Sequence, residues 1–327
     1  MKYSSILAAC MCLVGIATAC AADPPIPPPV NGLGETAAAA PSATPSPTAS
    51  ATPTLPSATP SATPTVTNTN IPSQTPTLAP DAWQSMPVVP AVGDRARRIY
   101  GNGLAQKNDP HAFSILGDCL SLPYNLFGEM GKGPNHYQLG EYAYLQPAIE
   151  WFTDSFKRRS VTLVNGFNTA AVLSPLRADP IQCEKSESPM ACEFRIHRPS
   201  YALISLGTDD NTIAPETYEA RMREILEYAI SKGIVPILAT KADNREGNHA
   251  FNRIVANLAY EYGLPMWNFW AAVQPLPLHG LIDNRGHLSW ADPDDFSSPK
   301  SLKRAVPVRS LTGLQTLDAV WRGVTVP

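Results

Sequence analysis

One long stretch of the 327-residue chain lacks almost everything that a folded core requires. Residues 21–80 contain no aromatic residue, no lysine and no arginine, and their only charged residues are Asp23 and Glu35. The same stretch holds 15 of the 34 prolines, many in repeated Pro-Ser-Ala-Thr units. Such a segment cannot bury enough apolar surface to offset the entropy lost on ordering. The composition therefore predicts a disordered linker at residues 21–90, followed by a globular domain at residues 91–327.

The chain also has little net charge and, after its first 20 residues, no long apolar run. The formal net charge is −3, so the chain lacks the basic excess that is typical of nucleic-acid-binding proteins. After residue 20, no apolar run approaches the roughly 18–20 residues that cross a bilayer. The sequence has no P-loop, no dinucleotide-binding fingerprint and no ligand cluster with zinc spacing. We therefore expect a monomeric protein with no metal, no cofactor and no nucleic-acid partner.

The first 20 residues are typical of a bacterial export signal. Lys2 precedes an apolar run of 14 residues that ends at Ala19, too short to favour a retained membrane helix. Ala17-Thr-Ala19 fits a cleavage site for ordinary secretion. Ile16-Ala-Thr-Ala-Cys20 instead resembles a lipobox, in which Cys20 becomes the lipidated first residue. The long linker favours a cell-surface lipoprotein that touches the membrane only through its lipid anchor, and free secretion is the alternative.

Cysteine is sparse in the remaining chain. Three of the six cysteines lie within the first 20 residues. Cys183 and Cys192 enclose a polar, proline-containing loop, and we expect them to form a disulfide, as is common in exported proteins. Cys119 then remains outside this predicted disulfide, and a thiol in an exported protein suggests a specific role.

The rest of the chain alternates between strand and helix patterns. Five short apolar runs are predicted as strands: Ala112–Leu116, Val161–Val164, Tyr201–Leu206, Val235–Ala239 and Pro265–Trp270. Helices are predicted at residues 142–156, 215–232, 248–262 and 311–322. This alternation predicts right-handed βαβ units and a parallel sheet of about five strands, covered by helices on both faces. The working residues of such folds gather at the carboxyl ends of the strands.

Four short segments stand at those positions. They are Gly117-Asp-Cys-Leu-Ser121, Val164-Asn-Gly166, Gly207-Thr-Asp-Asp210 and Asp283-Asn-Arg-Gly-His287. In this order they resemble the four blocks of the SGNH/GDSL hydrolases, which are a Gly-Asp-Ser-Leu motif, a glycine, Gly-x-Asn-Asp and Asp-x-x-His. The resemblance covers about residues 98–323.

The resemblance implies a flavodoxin-like three-layer αβα sandwich and an ester hydrolase. Cys119 would be the nucleophile, His287 the general base and Asp283 the acid that orients it. The oxyanion hole would use the amides of Cys119 and Gly166, with Asp209 at the third position. The substrate would carry an acyl or acetyl group on a carbohydrate or a lipid. A degenerate domain of this fold that binds extracellular or envelope glycans is the alternative.

Three departures from the family pattern leave alternatives open. Cys119 stands where the family has serine, and it is either an activated thiol or a buried residue of an inactive site. Ser121 is a weaker candidate nucleophile. Asp209 stands where the family has asparagine, and it is either a protonated donor or a loop acid that caps the next helix. The last block has one extra residue between its acid and its histidine, unless Asn284 takes the place of the acid.

Polar residues near the strand ends are candidates for a substrate cleft. We expect this cleft to involve Asp118, Asp210, Lys241, Asp243 and Asn244, although a solvated loop explains residues 241–248 equally well and a structural turn explains Asp118. Trp267, Phe269 and Trp270 offer rings for sugar stacking, but core packing is the simpler interpretation of aromatic residues on a strand.

Overall fold

The computed structural model describes residues 78–325. The predicted export signal, the lipidation site Cys20 and the linker up to residue 77 lie outside the described residues. Within residues 78–325, no helix combines the length and the apolar character needed to cross a membrane.

Four parallel strands form one sheet in the order β1-β2-β3-β4. They are β1 (Asp109–Gly117), β2 (Pro199–Ser205), β3 (Val235–Ala239) and β4 (Met266–Trp267). Every residue of β2 and β3 is buried. Because successive side chains of a strand point to opposite faces, this burial means that helices cover both faces of the sheet.

Nine α-helices surround the sheet in the described part of the chain. They are α1 (Asp94–Ala105), α2 (Gln146–Trp151), α3 (Thr153–Phe156), α4 (Thr169–Leu173), α5 (Pro189–His197), α6 (Pro215–Ser231), α7 (Ala250–Tyr262), α8 (Phe269–Val273) and α9 (Ala305–Thr325). The strands follow one another in space as they do in sequence, so right-handed crossovers place α5, α6 and α7 on one face. The other face holds α9, which packs against both α1 and α8. The α/β fold with a parallel sheet is therefore confirmed.

One predicted strand is reduced to a single bridge. Residues 161–164 meet the sheet only where Leu163 pairs with Gly117. The side chains of this segment bond to neighbouring elements instead, since Thr162 donates from Oγ1 to the carbonyl of Ile115 at 2.7 Å. A short apolar run predicts that a segment is buried more reliably than it predicts hydrogen-bonded pairing in a sheet. In the described residues the sheet therefore has four strands instead of about five.

Two other predicted elements are shorter than expected. The strand at residues 265–270 ends at Trp267, because Asn268 caps α8 by accepting a hydrogen bond from the Ala271 amide at 3.3 Å. The helix at residues 142–156 is broken into a 3₁₀ turn, α2 and α3, with Tyr142 outside helical backbone angles. By contrast, the patterns for α6, α7 and α9 predict the observed helices to within a few residues, except for the start of α9.

The folded domain begins earlier than residue 91. Trp83 is fully buried, and its carbonyl accepts a hydrogen bond from the Asn268 side chain at 2.8 Å. The Asn268 amide donates to the carbonyl of Val88 at 3.0 Å. Residues 83–88 therefore pack on the end of β4, and the linker that we expected to extend to residue 90 stops before Trp83. Trp83, the first aromatic residue after Tyr3, marks this change.

Cys183 and Cys192 form the expected disulfide. Cys192 lies in α5 and is completely buried, while residues 184–186 of the loop between the two cysteines are exposed. The cross-link anchors this loop to the helix that packs on β1.

Removal of the disulfide should destabilise the domain measurably. A cross-link over a sequence separation of 9 residues lowers the conformational entropy of the unfolded chain, which stabilises the folded state by about 2–3 kcal/mol. We expect the double variant Cys183→Ala/Cys192→Ala to lose that much free energy of unfolding in denaturant titrations. Lys185→Ala, an exposed change in the same loop, is the control. Equal unfolding midpoints for the two proteins would contradict the prediction.

Candidate active site

The carboxyl ends of β1, β2 and β3 lie along one edge of the sheet, as parallel strands require. Cys119 follows β1 in a tight 3₁₀ turn, Cys119–Ser121. The Asp118 carboxylate caps this turn by accepting the amide of Leu120 at 2.9 Å. Gly117 is required before it, because a Cβ there would stand 2.6 Å from the Ser121 side chain. The Cys119 residue is 3% exposed.

Ser121 points into the protein. Its residue is fully buried, and its hydroxyl accepts a hydrogen bond from Arg309 at 3.1 Å. This placement excludes Ser121 as the nucleophile in this conformation.

His287 and Asp283 are brought into direct contact. The Nδ1 atom of His287 lies 2.6 Å from Oδ2 of Asp283, and Oδ1 accepts the amides of Arg285 at 2.9 Å and His287 at 3.2 Å. Partial burial tends to raise the pKa of Asp283, but the hydrogen bonds from His287 and Arg285 outweigh it and hold the pKa below its ordinary value. The carboxylate thus stays charged and fixes the ring. The extra residue in this block forms part of the turn, so Asn284 is not needed as the acid.

Side-chain contacts hold the Gly166 loop against β1. Glu193 of α5 is completely buried and accepts hydrogen bonds from the Val161 amide at 2.8 Å and from Ser114 and Arg158 at 2.6 Å each. Gly166 follows, exposed and at a φ of +75°, a conformation that suits glycine. Its amide therefore lies on an accessible loop next to the end of β1.

Asp210 is a structural residue and not part of a cleft. It is 0% exposed, and its carboxylate accepts the amide and the hydroxyl of Thr169, the latter at 2.5 Å. These bonds tie the turn after β2 to the start of α4. Burial raises the pKa of Asp210, and the bonds from Thr169 oppose that rise.

Asp209 lies in the same turn with one oxygen unsatisfied. Its Oδ2 atom is buried and has no hydrogen-bond partner among the described residues. Burial raises the pKa of Asp209 above its ordinary value; Arg245 lowers it, while Asp210 and Asp243 raise it further. His287 also lowers the pKa of Asp209. A carboxyl that retains its proton to a higher pH is able to donate a hydrogen bond, as the amide of asparagine does.

Lys241 and Asp243 form a buried ion pair and do not line a cleft. The Lys241 ammonium lies 2.6 Å from Asp243 and 2.5 Å from Glu246. Asp243 also accepts a hydrogen bond from the Thr208 hydroxyl at 2.8 Å. Both Lys241 and Asp243 are less than 10% exposed. Of the predicted cleft residues, only Asn244 is exposed, and it accepts the amide of His249 at 2.7 Å.

This network supports the His287 loop. A Cβ on Gly286 would lie 3.2 Å from Asp243 and from the methyl group of Thr208, which leaves little room for a larger residue. The turn after β2, the end of β3 and the Asp283–His287 pair are therefore packed together. Asp118 belongs to the same group of charges: burial and then the neighbouring Asp209 raise its pKa to about 7, while Arg309 opposes them. Asp118 is 2% exposed and caps the Cys119 turn, so it is structural as well.

Aromatic residues occupy two different settings at this edge. Trp267 and Phe269 are fully buried and Trp270 packs edge-on against Trp83, so these rings belong to the core. Trp290 is 62% exposed instead, and its indole donates to the carbonyl of Tyr124 at 3.0 Å. This bond joins the loop after Cys119 to the loop after His287. Neither residue belongs to a motif, so this contact was not predictable from the sequence.

Comparisons with known proteins give likenesses in structure. No family model and no curated protein matches the sequence. The fold is similar to that of the psychrotrophic esterase EstA from Pseudoalteromonas sp., whose crystal structure was determined with monoethylphosphonate as inhibitor. That likeness has a TM-score of 0.38 and 13% sequence identity, and it covers 65% of this chain and 98% of the esterase.

Proposed function

We propose that this protein is an ester hydrolase of SGNH/GDSL type that uses a cysteine nucleophile. The observation that carries the proposal is the Asp283–His287 pair, 2.6 Å apart, at the same edge of the sheet as Cys119, Gly166 and Asp209. A base held by a carboxylate beside a nucleophile on a strand-to-helix turn is the arrangement that acyl transfer requires. The substrate would be an acyl or acetyl ester of a carbohydrate or a lipid.

The reaction would proceed through a thioester. Cys119 gives its proton to His287, and its sulfur attacks the ester carbonyl carbon. The resulting oxyanion takes hydrogen bonds from the amides of Cys119 and Gly166 and from the protonated carboxyl of Asp209. Collapse of this intermediate expels the alkoxide, which His287 protonates. His287 then removes a proton from water, and the hydroxide attacks the thioester carbonyl. Collapse of this second intermediate breaks the C–S bond; the carboxylic acid leaves, and the Cys119 thiolate takes the proton back from His287.

The protein would act outside the cytoplasm. The disulfide between Cys183 and Cys192 is compatible with that location. We propose that the lipobox-like segment ending at Cys20 attaches the chain to the cell surface and that residues 21–77 separate the domain from the membrane. Incorporation of labelled palmitate, and its loss in Cys20→Ala, would distinguish the anchored protein from a freely secreted one.

A glycan-binding domain without catalysis is the second candidate. The low exposure of Cys119 favours it, because a substrate must reach the sulfur. The two functions differ in what purified protein does to a panel of aryl esters and thioesters. Hydrolysis supports the enzyme, whereas binding to polysaccharide without any hydrolysis supports the alternative.

The role of His287 gives the sharpest test of the proposal. A positioned general base contributes about 10²–10⁴-fold to a rate, so we expect His287→Ala to lower kcat for an aryl acetate by that factor. Asp283→Asn should have a smaller effect in the same direction. His136→Ala is the matched control, since His136 lies on the surface beside Glu129 and contacts none of the proposed residues. Hydrolysis that survives in His287→Ala would remove this residue from the mechanism.

A further inference from the structure

Arg309 is the largest charged side chain that is completely buried in the described part of the chain. It lies in α9 and is 1% exposed. Its guanidinium stacks near the rings of Trp267 and Phe269, with its central carbon 5.1 and 4.7 Å from the two ring centres. A guanidinium in such surroundings has lost its hydration, so hydrogen bonds or ion pairs must offset the cost of burying its charge.

The direct partners of Arg309 are neutral. Its Nε donates to the carbonyl of Leu120 at 3.0 Å, and one Nη donates to the hydroxyls of Ser121 at 3.1 Å and Ser205 at 2.7 Å. Among residues 78–325 no carboxylate forms an ion pair with this guanidinium. The buried positive charge is therefore only partly compensated by hydrogen bonds.

The position of this charge relative to the nucleophile is well defined. Leu120 and Ser121 are the two residues that follow Cys119, and Ser205 ends β2 beside Gly117. The guanidinium thus lies against the core side of the Cys119 turn. Burial lowers the pKa of Arg309 to about 10, and the charges of Asp118 and Cys119 oppose that shift. Arg309 therefore stays protonated at neutral pH.

Other charged groups around the turn are mostly acidic. Asp118 precedes Cys119, and Asp209 and Asp243 are close enough to raise the pKa of Asp118. Negative charge on these carboxyl groups disfavours a second negative charge on sulfur. Lys241 pairs with Asp243 and Arg245 donates to the carbonyl of Thr208. Arg309 instead donates directly to the Cys119 turn, from a buried position.

We propose that Arg309 is a positioning residue that stabilises Cys119 as a thiolate from the core side of the turn. The inference rests on the proposed function in taking Cys119 as the nucleophile. A guanidinium in a low-dielectric interior lowers the free energy of a nearby thiolate, and a lower thiol pKa yields more of the reactive form. The thiol proton passes to His287 or to water, so no further reactant is needed. A serine hydroxyl does not ionise at neutral pH, so a buried cation would not stabilise it in this way. The buried Arg309 therefore suits a cysteine at this position.

The test measures the ionisation of Cys119 without any ester. The rate of iodoacetamide alkylation is followed against pH on the purified protein with its disulfide intact. In the unsubstituted protein, we expect the inflection below the ordinary cysteine pKa of about 8.5. In Arg309→Met it should rise by at least one pH unit, a tenfold loss of thiolate at neutral pH. Arg309→Lys, which keeps the charge, should restore part of the shift, and Asp118→Asn should move the inflection the opposite way.

Two further variants make the result decisive. Arg322→Met removes an exposed arginine from the same helix and should leave the profile unchanged. If Arg309→Met does not fold by circular dichroism, Arg309→Gln gives a second neutral variant that keeps hydrogen-bond donors. An unchanged inflection in a folded neutral variant would overturn the inference, even if the protein hydrolyses esters. A shifted inflection in a protein without esterase activity would support it and would count only against the proposed function.

Discussion

Replacement of Cys119 by alanine is expected to reduce ester hydrolysis to the background rate. The proposed reaction forms a covalent thioester, so loss of the sulfur removes the pathway and should cost on the order of 10³-fold or more in kcat. The fold should survive, because alanine removes only a small buried atom and Asp118 still caps the turn. Steady-state rates with an aryl acetate, together with circular dichroism, test both expectations.

Ser121→Ala is the matched comparison. Its hydroxyl accepts a hydrogen bond from Arg309 and points into the core, so its loss should leave the thioester pathway in place. Activity that remains in Cys119→Ala but disappears in Ser121→Ala would mean that the turn presents the serine during catalysis. That outcome would contradict the assignment of the nucleophile.

Replacement of Asp209 by asparagine is expected to increase activity above the pH at which Asp209 ionises. Burial raises the pKa of Asp209, so the carboxyl keeps its proton above the pH at which an ordinary aspartic acid loses it. Below the raised pKa it donates to the oxyanion, and above this pKa the carboxylate repels the oxyanion. One such donor is worth about 10²–10³-fold in turnover, so the gain should approach that size well above the raised pKa.

The dependence of kcat on pH distinguishes an effect of Asp209 ionisation from a general stabilisation of the protein by the substitution. The unsubstituted protein should show a fall in kcat as Asp209 ionises, and Asp209→Asn should lack this fall because its amide does not titrate. At low pH the two rates should converge. Asp154→Asn, a change at an exposed acid in α3, should retain the original profile. A variant that is slower than the parent at every pH would show that Asp209 has another role.

The sequence could predict the edge of the sheet that carries the site, because apolar runs ending in glycine mark strand ends. Gly117 ends β1 and Gly207 follows β2, and the parallel strands place the residues after these glycines together. The Asp283–His287 pair was also predictable, since its residues are four apart in one turn. What failed was the assignment of exposure: Asp210, Lys241 and Asp243 are polar in a loop-like pattern, yet each is buried by a partner of opposite charge or by hydrogen-bond donors.

Long-range contacts account for the remaining differences between the sequence-based predictions and the structure. Arg309 contacts Leu120 across 189 positions, and Trp83 contacts Asn268 across 185 positions. No local pattern encodes such pairs, because the partner is chosen by tertiary packing. An arginine inside the otherwise apolar start of α9 was a usable signal, since a charge on the buried face of a helix requires a partner. Its partner is the turn that bears Cys119.

The most direct test of the account is to detect the acyl group on Cys119. The protein is mixed with a slowly hydrolysed aryl ester, quenched with acid and analysed by mass spectrometry of the intact chain and its peptides. The account predicts one acyl group on the peptide that contains Cys119, removable by neutral hydroxylamine and absent from Cys119→Ala. An acyl group on another residue, or ester turnover with no acylated protein at any time, would contradict it.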